Sequence, residues 1–169
     1  MKKLLVRWVC CFALAIFLWG RVLPGVSDRP SGTHAEIAYV FDGDTVEVNL
    51  ADGRALRVRL LGINAPEVAH KQDGSAAEPY GDAARAALRK LLPVGKEVLL
   101  EYDADRTDKY GRELCYIWLD GLSVNLYLIE QGCARSLFFR ENTRRKAEFE
   151  RAEAAARAAQ VGLWATPGG

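Results

Sequence analysis

Apolar side chains recur at every second position along two stretches in the first half of the chain, residues 45–50 and 56–61. The alternating apolar residues are Val46, Val48 and Leu50 in the first stretch and Leu56, Val58 and Leu60 in the second. A period of two predicts β-strands with one buried face. Asp52-Gly53, between the two stretches, predicts a hairpin because both residues tolerate the positive φ angles of a tight turn.

Further strands and three helices are predicted in the rest of the chain. The additional strands are predicted at 37–41, 97–102 and 114–119, and the helices at 80–92, 124–131 and 144–160. Gly132 and Gly162 follow the last two helices, where glycine commonly ends a helix. Polar stretches at 68–79 and 103–112 predict loops. Five strands and three helices in this order predict an α+β domain built around a small β-barrel.

The N-terminus has the pattern of an export segment. Lys2, Lys3 and Arg7 precede an uncharged apolar run at 8–20, which is shorter than a bilayer-spanning helix needs. We therefore predict a signal peptide or an uncleaved anchor at 1–27, a linker at 28–35 and a folded domain at 36–166. The expected location is periplasmic or secreted, with the membrane involved only through the N-terminal segment.

The charge balance limits how the domain can bind polyanions. The whole chain has a net charge of +1, but residues 28–169 carry 19 basic and 22 acidic side chains. The resulting net charge of −3 offers no general attraction to nucleic acid. Any phosphate binding therefore has to come from a few placed arginines, a metal ion, or both.

Cys115 and Cys133 are the cysteines that follow the export segment. Export would permit a disulfide between them, and two buried small hydrophobic residues are the alternative. Their spacing does not match a zinc site.

The densest group of residues with possible chemistry contains Asp44, Arg59, Asn64 and Glu67. Asp44 has the parity of the inward-facing valines that follow it, so we expect its carboxylate at the mouth of the barrel. The side-chain oxygens of Asp44 and Asn64, with a backbone carbonyl, suit a hard cation such as Ca²⁺. Glu67 is a candidate general base for phosphodiester hydrolysis. Arg59 and Arg112 could clamp phosphate oxygens.

Each of these residues also has a purely structural interpretation. Asp42-Gly43-Asp44 could be an ordinary turn, and Glu67 a solvated loop acid. Arg59 could be a surface arginine paired with Glu47. Arg112 could belong to a charged loop.

Four ordered motifs resemble the staphylococcal, thermonuclease-type nuclease family. They are Asp42-Gly43-Asp44-Thr45-Val46, residues 58–67 (VRLLGINAPE), Glu78-Pro79-Tyr80-Gly81 and residues 106–112 (RTDKYGR). The similarity continues through Val124-Asn125 and Gln131-Gly132 to Gly162-Leu163-Trp164, so it covers residues 36–164. Several long motifs in a fixed order are a specific signal.

The resemblance implies a five-stranded OB-fold barrel with three helices that binds one Ca²⁺. It also implies hydrolysis of DNA and RNA, with single strands preferred, to products that end in a 3′-phosphate. By position, Glu67 is implied as the general base. Arg59 and Arg112 are implied as the two phosphate-binding arginines.

The metal ligands implied by the resemblance include one departure from the family pattern. Asp44 matches a carboxylate ligand, and the position of Ala65 implies a ligand through its backbone carbonyl. Asn64 stands where the best-known members carry a second aspartate. An amide oxygen can still bind Ca²⁺ but removes one negative charge, so we expect weaker metal binding.

The substrate contacts implied by the resemblance lie on two later segments. Lys109 and Tyr110 match residues that contact the terminal phosphate of the nucleotide. Phe138 falls near a position where a tyrosine stacks on the base, and a phenyl ring can still stack without the hydroxyl. The loop at 68–79 differs from the family, so substrate preference can differ too.

Two other function classes stay open beside the nuclease. One is a catalytically weak or inactive OB-fold domain that binds nucleic acid or protein, for which Asn64 is the main support. The other is a membrane-tethered structural protein. Because Arg59, Glu67 and Arg112 occur together within the family motifs, we predict an active nuclease. We also expect a monomer that acts on DNA or RNA without an obligate protein partner.

Overall fold

The alternating stretches form the strands of a closed β-barrel. A computed structural model describes residues 31–69 and 77–165; the predicted export segment and most of the predicted loop at 68–79 lie outside the described residues. Within the described ranges, every helix is too short or too polar to cross a membrane.

The elements follow one another as three strands, a helix, two strands and two helices, with short strands between them. The strands are β1 Thr33–Val40, β2 Thr45–Leu50, β3 Ala55–Leu60, β4 Ile63–Asn64, β5 Glu97–Thr107, β6 Glu113–Leu119, β7 Leu122–Ser123 and β8 Arg135–Ser136. The helices are α1 Gly81–Leu91, α2 Val124–Glu130 and α3 Lys146–Ala158, and a 3-10 turn covers Gly162–Ala165.

The long strands pair antiparallel in the order β3-β2-β1-β5-β6. A parallel pairing between β3 and β6 then closes the ring of five strands. The short strands β4 and β8 pair with each other beside the barrel. The predicted class, a five-stranded OB-type barrel with three helices, is confirmed.

The barrel interior is filled by the residues that the period of two assigned to one face. Val46, Val48, Val58 and Leu60 are all buried. Helix α1 contacts β1, and α2 packs against both β6 and α3. An edge-on contact between the rings of Tyr116 and Phe149, with centroids 5.9 Å apart, joins β6 to α3.

Three local predictions differ from the structure. β1 begins at Thr33, inside the predicted linker, because residues 33–36 pair with residues 97–100 of β5. β5 continues through residue 107, into the predicted loop at 103–112, and its end pairs with β6. The hairpin between β2 and β3 has a three-residue loop in which Gly53 alone takes a positive φ of 85°, a common variant of the tight hairpin.

Cys115 and Cys133 are buried and carry free thiols. The disulfide alternative is therefore not found, and both side chains pack as small hydrophobic residues in the core.

Asn125 holds the closing seam of the barrel from the start of α2. Its side chain is fully buried, and its Oδ1 accepts a hydrogen bond from the N–H of Ile117 at 2.9 Å. Its Nδ2 donates to the carbonyls of Leu61 at 2.9 Å and Cys115 at 3.3 Å. One amide thus satisfies backbone groups of β6 and of the segment that leaves β3.

We expect Asn125→Ala to lower the free energy of unfolding by about 3 kcal/mol, because it leaves buried backbone groups of Ile117 and Leu61 without partners. Urea denaturation measures the change. The matched control is Asn49→Ala, which removes an exposed asparagine from β2 and should shift stability by less than about 0.5 kcal/mol. Equal losses in the two variants would contradict a seam held by Asn125.

Candidate active site

Asp44 lies at the entrance to β2 and is only 3% exposed. Its position requires the preceding Gly43, because a Cβ there would overlap the side chains of Ala65 and Ala84. The N–H of Asp44 donates to the carboxylate of Asp42 at 3.0 Å, which shapes the turn into the strand. The Asp42-Gly43-Asp44 motif is therefore a turn that also delivers a buried carboxylate.

Arg59 is the cationic partner of this carboxylate. It stands beside Thr45 in the β2–β3 register, and its Nη2 contacts Asp44 Oδ2 at 2.9 Å. The same nitrogen donates to Asn64 Oδ1 at 3.0 Å. The other terminal nitrogen, Nη1, donates to the carbonyls of Leu60 and Ile63. Arg59 thus ties the end of β3 to the turn that follows it, and the alternative pairing with Glu47 is not observed.

The Asp44 carboxylate is held in an environment that opposes its charge. The pKa of Asp44 is raised to about 7, mainly because the carboxylate is buried. The Arg59 guanidinium lowers this pKa, and the nearby Asp42 contributes to raising it. The N–H of Ala65 donates to Oδ2 at 2.8 Å and favours the ionised form. A second positive charge next to this carboxylate would be strongly stabilised.

The oxygens around Arg59 Nη2 are the donor set that a metal could use. Asp44 Oδ2 and Asn64 Oδ1 both contact that nitrogen, so the two side chains converge on one point that a cation already occupies. Within the described residues, no group of three or more His, Cys, Asp or Glu side chains lies close enough together to hold a metal. The set is all oxygen and carries little charge, which fits a hard, weakly held cation better than a transition metal.

Glu67 follows this turn and is exposed at the cleft. Its backbone is fixed on both sides: its N–H donates to Glu78 Oε2 at 3.2 Å, and its carbonyl accepts from the N–H of Glu78 at 2.9 Å. Gly81, at the start of α1, packs against the same carbonyl so closely that a Cβ would overlap it. The Glu78-Pro79-Tyr80-Gly81 motif therefore anchors the segment that presents Glu67.

Arg112 is held by a tight turn between β5 and β6. The Asp108 carboxylate accepts from the N–H groups of Tyr110 and Arg112 and from Arg112 Nε at 2.7 Å. Burial alone would raise the pKa of Asp108, but these hydrogen bonds outweigh it and hold the pKa below its usual range. Among the described residues, the two terminal nitrogens of Arg112 find no hydrogen-bond partner, so they remain available to a ligand.

One cleft of about 540 Å³ brings most of the predicted residues together. Six of them line it: Arg59, Asn64, Glu67, Lys109, Tyr110 and Arg112. Asp44 and Ala65 are buried behind this wall, where Asp44 is joined to the cleft through Arg59. The ring of Phe138 instead packs against Phe149, with centroids 5.8 Å apart, while Phe139 lines the cleft and is 65% exposed.

Sequence reasoning assigned no role to several residues that shape this cleft. Asp108 restrains Arg112, and its position four residues before Arg112 in the motif at 106–112 is a signal that could have identified it. Asn142 is buried in the cleft wall, where it accepts from the N–H of Asp105 at 2.7 Å and donates to the carbonyl of Asp105. Nothing in the local sequence predicts that long-range clamp.

The chain is similar to known nucleases over most of its length. The family described as Staphylococcal nuclease homologue matches residues 57–166. The thermonuclease of Staphylococcus intermedius is 38% identical over 128 residues, which cover 76% of this chain and 74% of that protein. The thermonuclease of Staphylococcus hyicus is 32% identical over 140 residues, covering 83% of this chain and 80% of that protein.

A third relative is Endonuclease YncB of Bacillus subtilis, which is 37% identical over 130 residues, covering 76% of this chain and 60% of that protein. The family match includes the strand that carries Arg59, the segment that presents Glu67 and the turn that holds Arg112. The chain belongs to the staphylococcal nuclease family, as its motifs predicted.

Proposed function

We propose that this protein is an exported, Ca²⁺-dependent endonuclease that hydrolyses DNA or RNA to products ending in a 3′-phosphate. The observation that carries the proposal is that Arg59, Glu67 and Arg112 line the same cleft. A carboxylate in one cleft with two guanidinium groups can supply a general base and stabilise the charge that develops on a phosphodiester during hydrolysis. Membership of a family whose relatives are named thermonuclease and endonuclease supports the same activity.

Glu67 acts in this proposal as the general base. It takes a proton from a water molecule, and the resulting hydroxide attacks phosphorus in the substrate. The bond from phosphorus to the 5′-oxygen then breaks, and that oxygen takes a proton from solvent and leaves as a hydroxyl. The phosphate therefore stays on the 3′ side. A base of this kind contributes about 10²–10⁴-fold to the rate.

Arg112 and Arg59 stabilise the negative charge that builds on the phosphate oxygens during the attack. The two terminal nitrogens of Arg112 have no hydrogen-bond partner among the described residues, and Asp108 holds the group through Nε. The guanidinium plane can donate two parallel hydrogen bonds to phosphate oxygens. Arg59 needs to change partners first, because its Nη2 is bound to Asp44 and Asn64.

Asp44, the Asn64 side chain and the backbone carbonyl of Ala65 would hold the Ca²⁺. When bound, Ca²⁺ supplies positive charge and orientation at the scissile phosphate. Both side-chain oxygens contact Arg59 Nη2, so this nitrogen lies where the two ligands would hold the cation. If Nη2 turned away from these oxygens, it could donate to phosphate. In the present structure, the Arg59 guanidinium supplies the positive charge next to Asp44.

We expect the purified protein to cut single-stranded DNA or RNA in the presence of Ca²⁺ and to stop when a chelator is added. Gel electrophoresis of labelled strands measures cutting, and loss of the terminal phosphate to a phosphatase specific for 3′ ends identifies the 3′-phosphate. Retention of an uncut strand with Ca²⁺ present would contradict the nuclease and support a non-catalytic OB-fold domain that binds nucleic acid.

We expect Glu67→Gln to lower kcat by about 10²–10⁴-fold because the amide cannot accept the proton from water. Steady-state cleavage of a single-stranded substrate measures the loss, and circular dichroism verifies the fold. The control is Glu130→Gln, which neutralises an exposed acid at the end of α2 and should retain wild-type turnover. Wild-type turnover in Glu67→Gln would exclude Glu67 as the base.

We expect Asn64→Asp to tighten Ca²⁺ binding by about tenfold, equal to about 1.4 kcal/mol, because a second carboxylate restores negative charge at the site. Isothermal titration calorimetry measures the dissociation constant. Asn49→Asp adds the same charge at an exposed position of β2 and should leave Ca²⁺ binding unchanged. If both variants bind Ca²⁺ like the wild type, residue 64 is not a ligand.

A further inference from the structure

A row of basic and aromatic side chains leads away from the cleft along the outer face of the barrel. It consists of Arg57, Phe41, Tyr39 and Arg89, which we call the outer track. None of these residues lines the cleft itself. They are exposed, except for Phe41, which is half-buried, and the Tyr39 side chain is 44% exposed.

The outer track begins where the cleft ends. Arg57 and Arg59 are two residues apart on β3, so their side chains leave the same face of the strand. A second cavity of about 480 Å³ is lined by Arg57, Tyr110, Gly111 and Arg112. Tyr110 and Arg112 also line the cleft, so they form a shared wall between the two cavities. A ligand that leaves the cleft past Tyr110 therefore meets Arg57 next.

Successive contacts join the members of the track. The Arg57 guanidinium lies 4.1 Å from the centroid of the Phe41 ring. The rings of Phe41 and Tyr39 meet edge-on at 4.9 Å. Arg89, from α1, lies 5.4 Å from the Tyr39 ring centroid and donates to the Tyr39 hydroxyl at 3.2 Å. Arginines over aromatic rings are common in proteins and recur elsewhere in this chain. The outer track is distinguished by two linked pairs that start at the wall of the cleft.

The track is also locally basic in a domain whose sequence is acidic overall. Neither Arg57 nor Arg89 forms an ion pair with any described acidic residue. Glu47 of β2 stands between Tyr39 and Arg57 in the strand register, and it too lacks an ion pair within the described part of the chain. Two guanidinium groups thus outnumber one carboxylate along this strip, which favours an anionic ligand.

We propose that the outer track binds the part of a single-stranded nucleic acid that extends beyond the cleft. Arg57 and Arg89 would contact backbone phosphates, while Phe41 and Tyr39 would offer ring surfaces to unpaired bases. Paired bases are already stacked within a duplex, so the rings select single strands. The inference deepens the proposed function and rests on it, because the strand is placed by the phosphate in the cleft.

The test compares a dinucleotide, which occupies the cleft alone, with a long single-stranded oligonucleotide. We expect Arg57→Ala and Tyr39→Ala each to raise KM for the long strand about tenfold and to leave kcat/KM for the dinucleotide unchanged. Fluorescence anisotropy of the labelled long strand, with chelator to prevent cutting, should show a matching loss of affinity. The control Arg151→Ala removes the same charge from an exposed position on α3 and should change neither readout.

The two proposals fail in different ways. A protein that cuts both substrates, while its track variants bind the long strand as tightly as the wild type, overturns the track and assigns this face to another use, such as a protein contact. Equal losses on the dinucleotide and the long strand also overturn it, because they would reflect damage to the cleft. A protein that cuts neither substrate contradicts the nuclease, whereas weaker strand binding by its track variants would still support the track.

Discussion

The buried ion pair between Asp44 and Arg59 is the interaction on which the rest of the site depends. It joins the entrance of β2 to the end of β3, and the same guanidinium group holds Asn64 and the backbone before it. Such a pair is weak evidence for stability, since the cost of removing two charges from water can exceed their attraction. The pair places a buried carboxylate, whose pKa is raised to about 7, next to a guanidinium group that favours its ionised form. The turn that leads to Glu67 is positioned as a consequence, because Ala65 donates its N–H to Asp44.

The strands and helices could be predicted wherever apolar residues recur at a regular spacing along one face of the element. The strict alternation at 45–50 located β2 to the residue, and the helical periods located all three helices within two residues. The polar stretch at 103–107 has no such period, so its sequence predicts a loop. It is a strand because β6 pairs with its end and Asn142 satisfies both backbone groups of Asp105. Those partners are distant in sequence, and only the closed barrel brings them together.

In the candidate site too, the local sequence predicted some features, while others depend on residues that are distant in sequence. The inward parity of Asp44 correctly indicated a buried carboxylate at the barrel mouth. Its partner could not be chosen from sequence, because Arg59 might equally have faced Glu47 on the neighbouring strand. Phe138 and Phe139 are adjacent, and the sequence does not show which ring faces the cleft. The structure directs Phe138 into the core and Phe139 toward the cleft, a choice set by packing on α3.

The central claim is that Arg59 and Arg112 converge on one phosphate beside a cation held by Asp44. A crystal structure with Ca²⁺ and a short oligonucleotide whose phosphate linkage resists hydrolysis tests it most directly. We predict one phosphate that accepts hydrogen bonds from both arginines, Ca²⁺ within coordination distance of Asp44, and Arg59 Nη2 moved away from that carboxylate. A phosphate bound by only one of the arginines, or an intact Asp44–Arg59 pair with Ca²⁺ elsewhere, would contradict the claim.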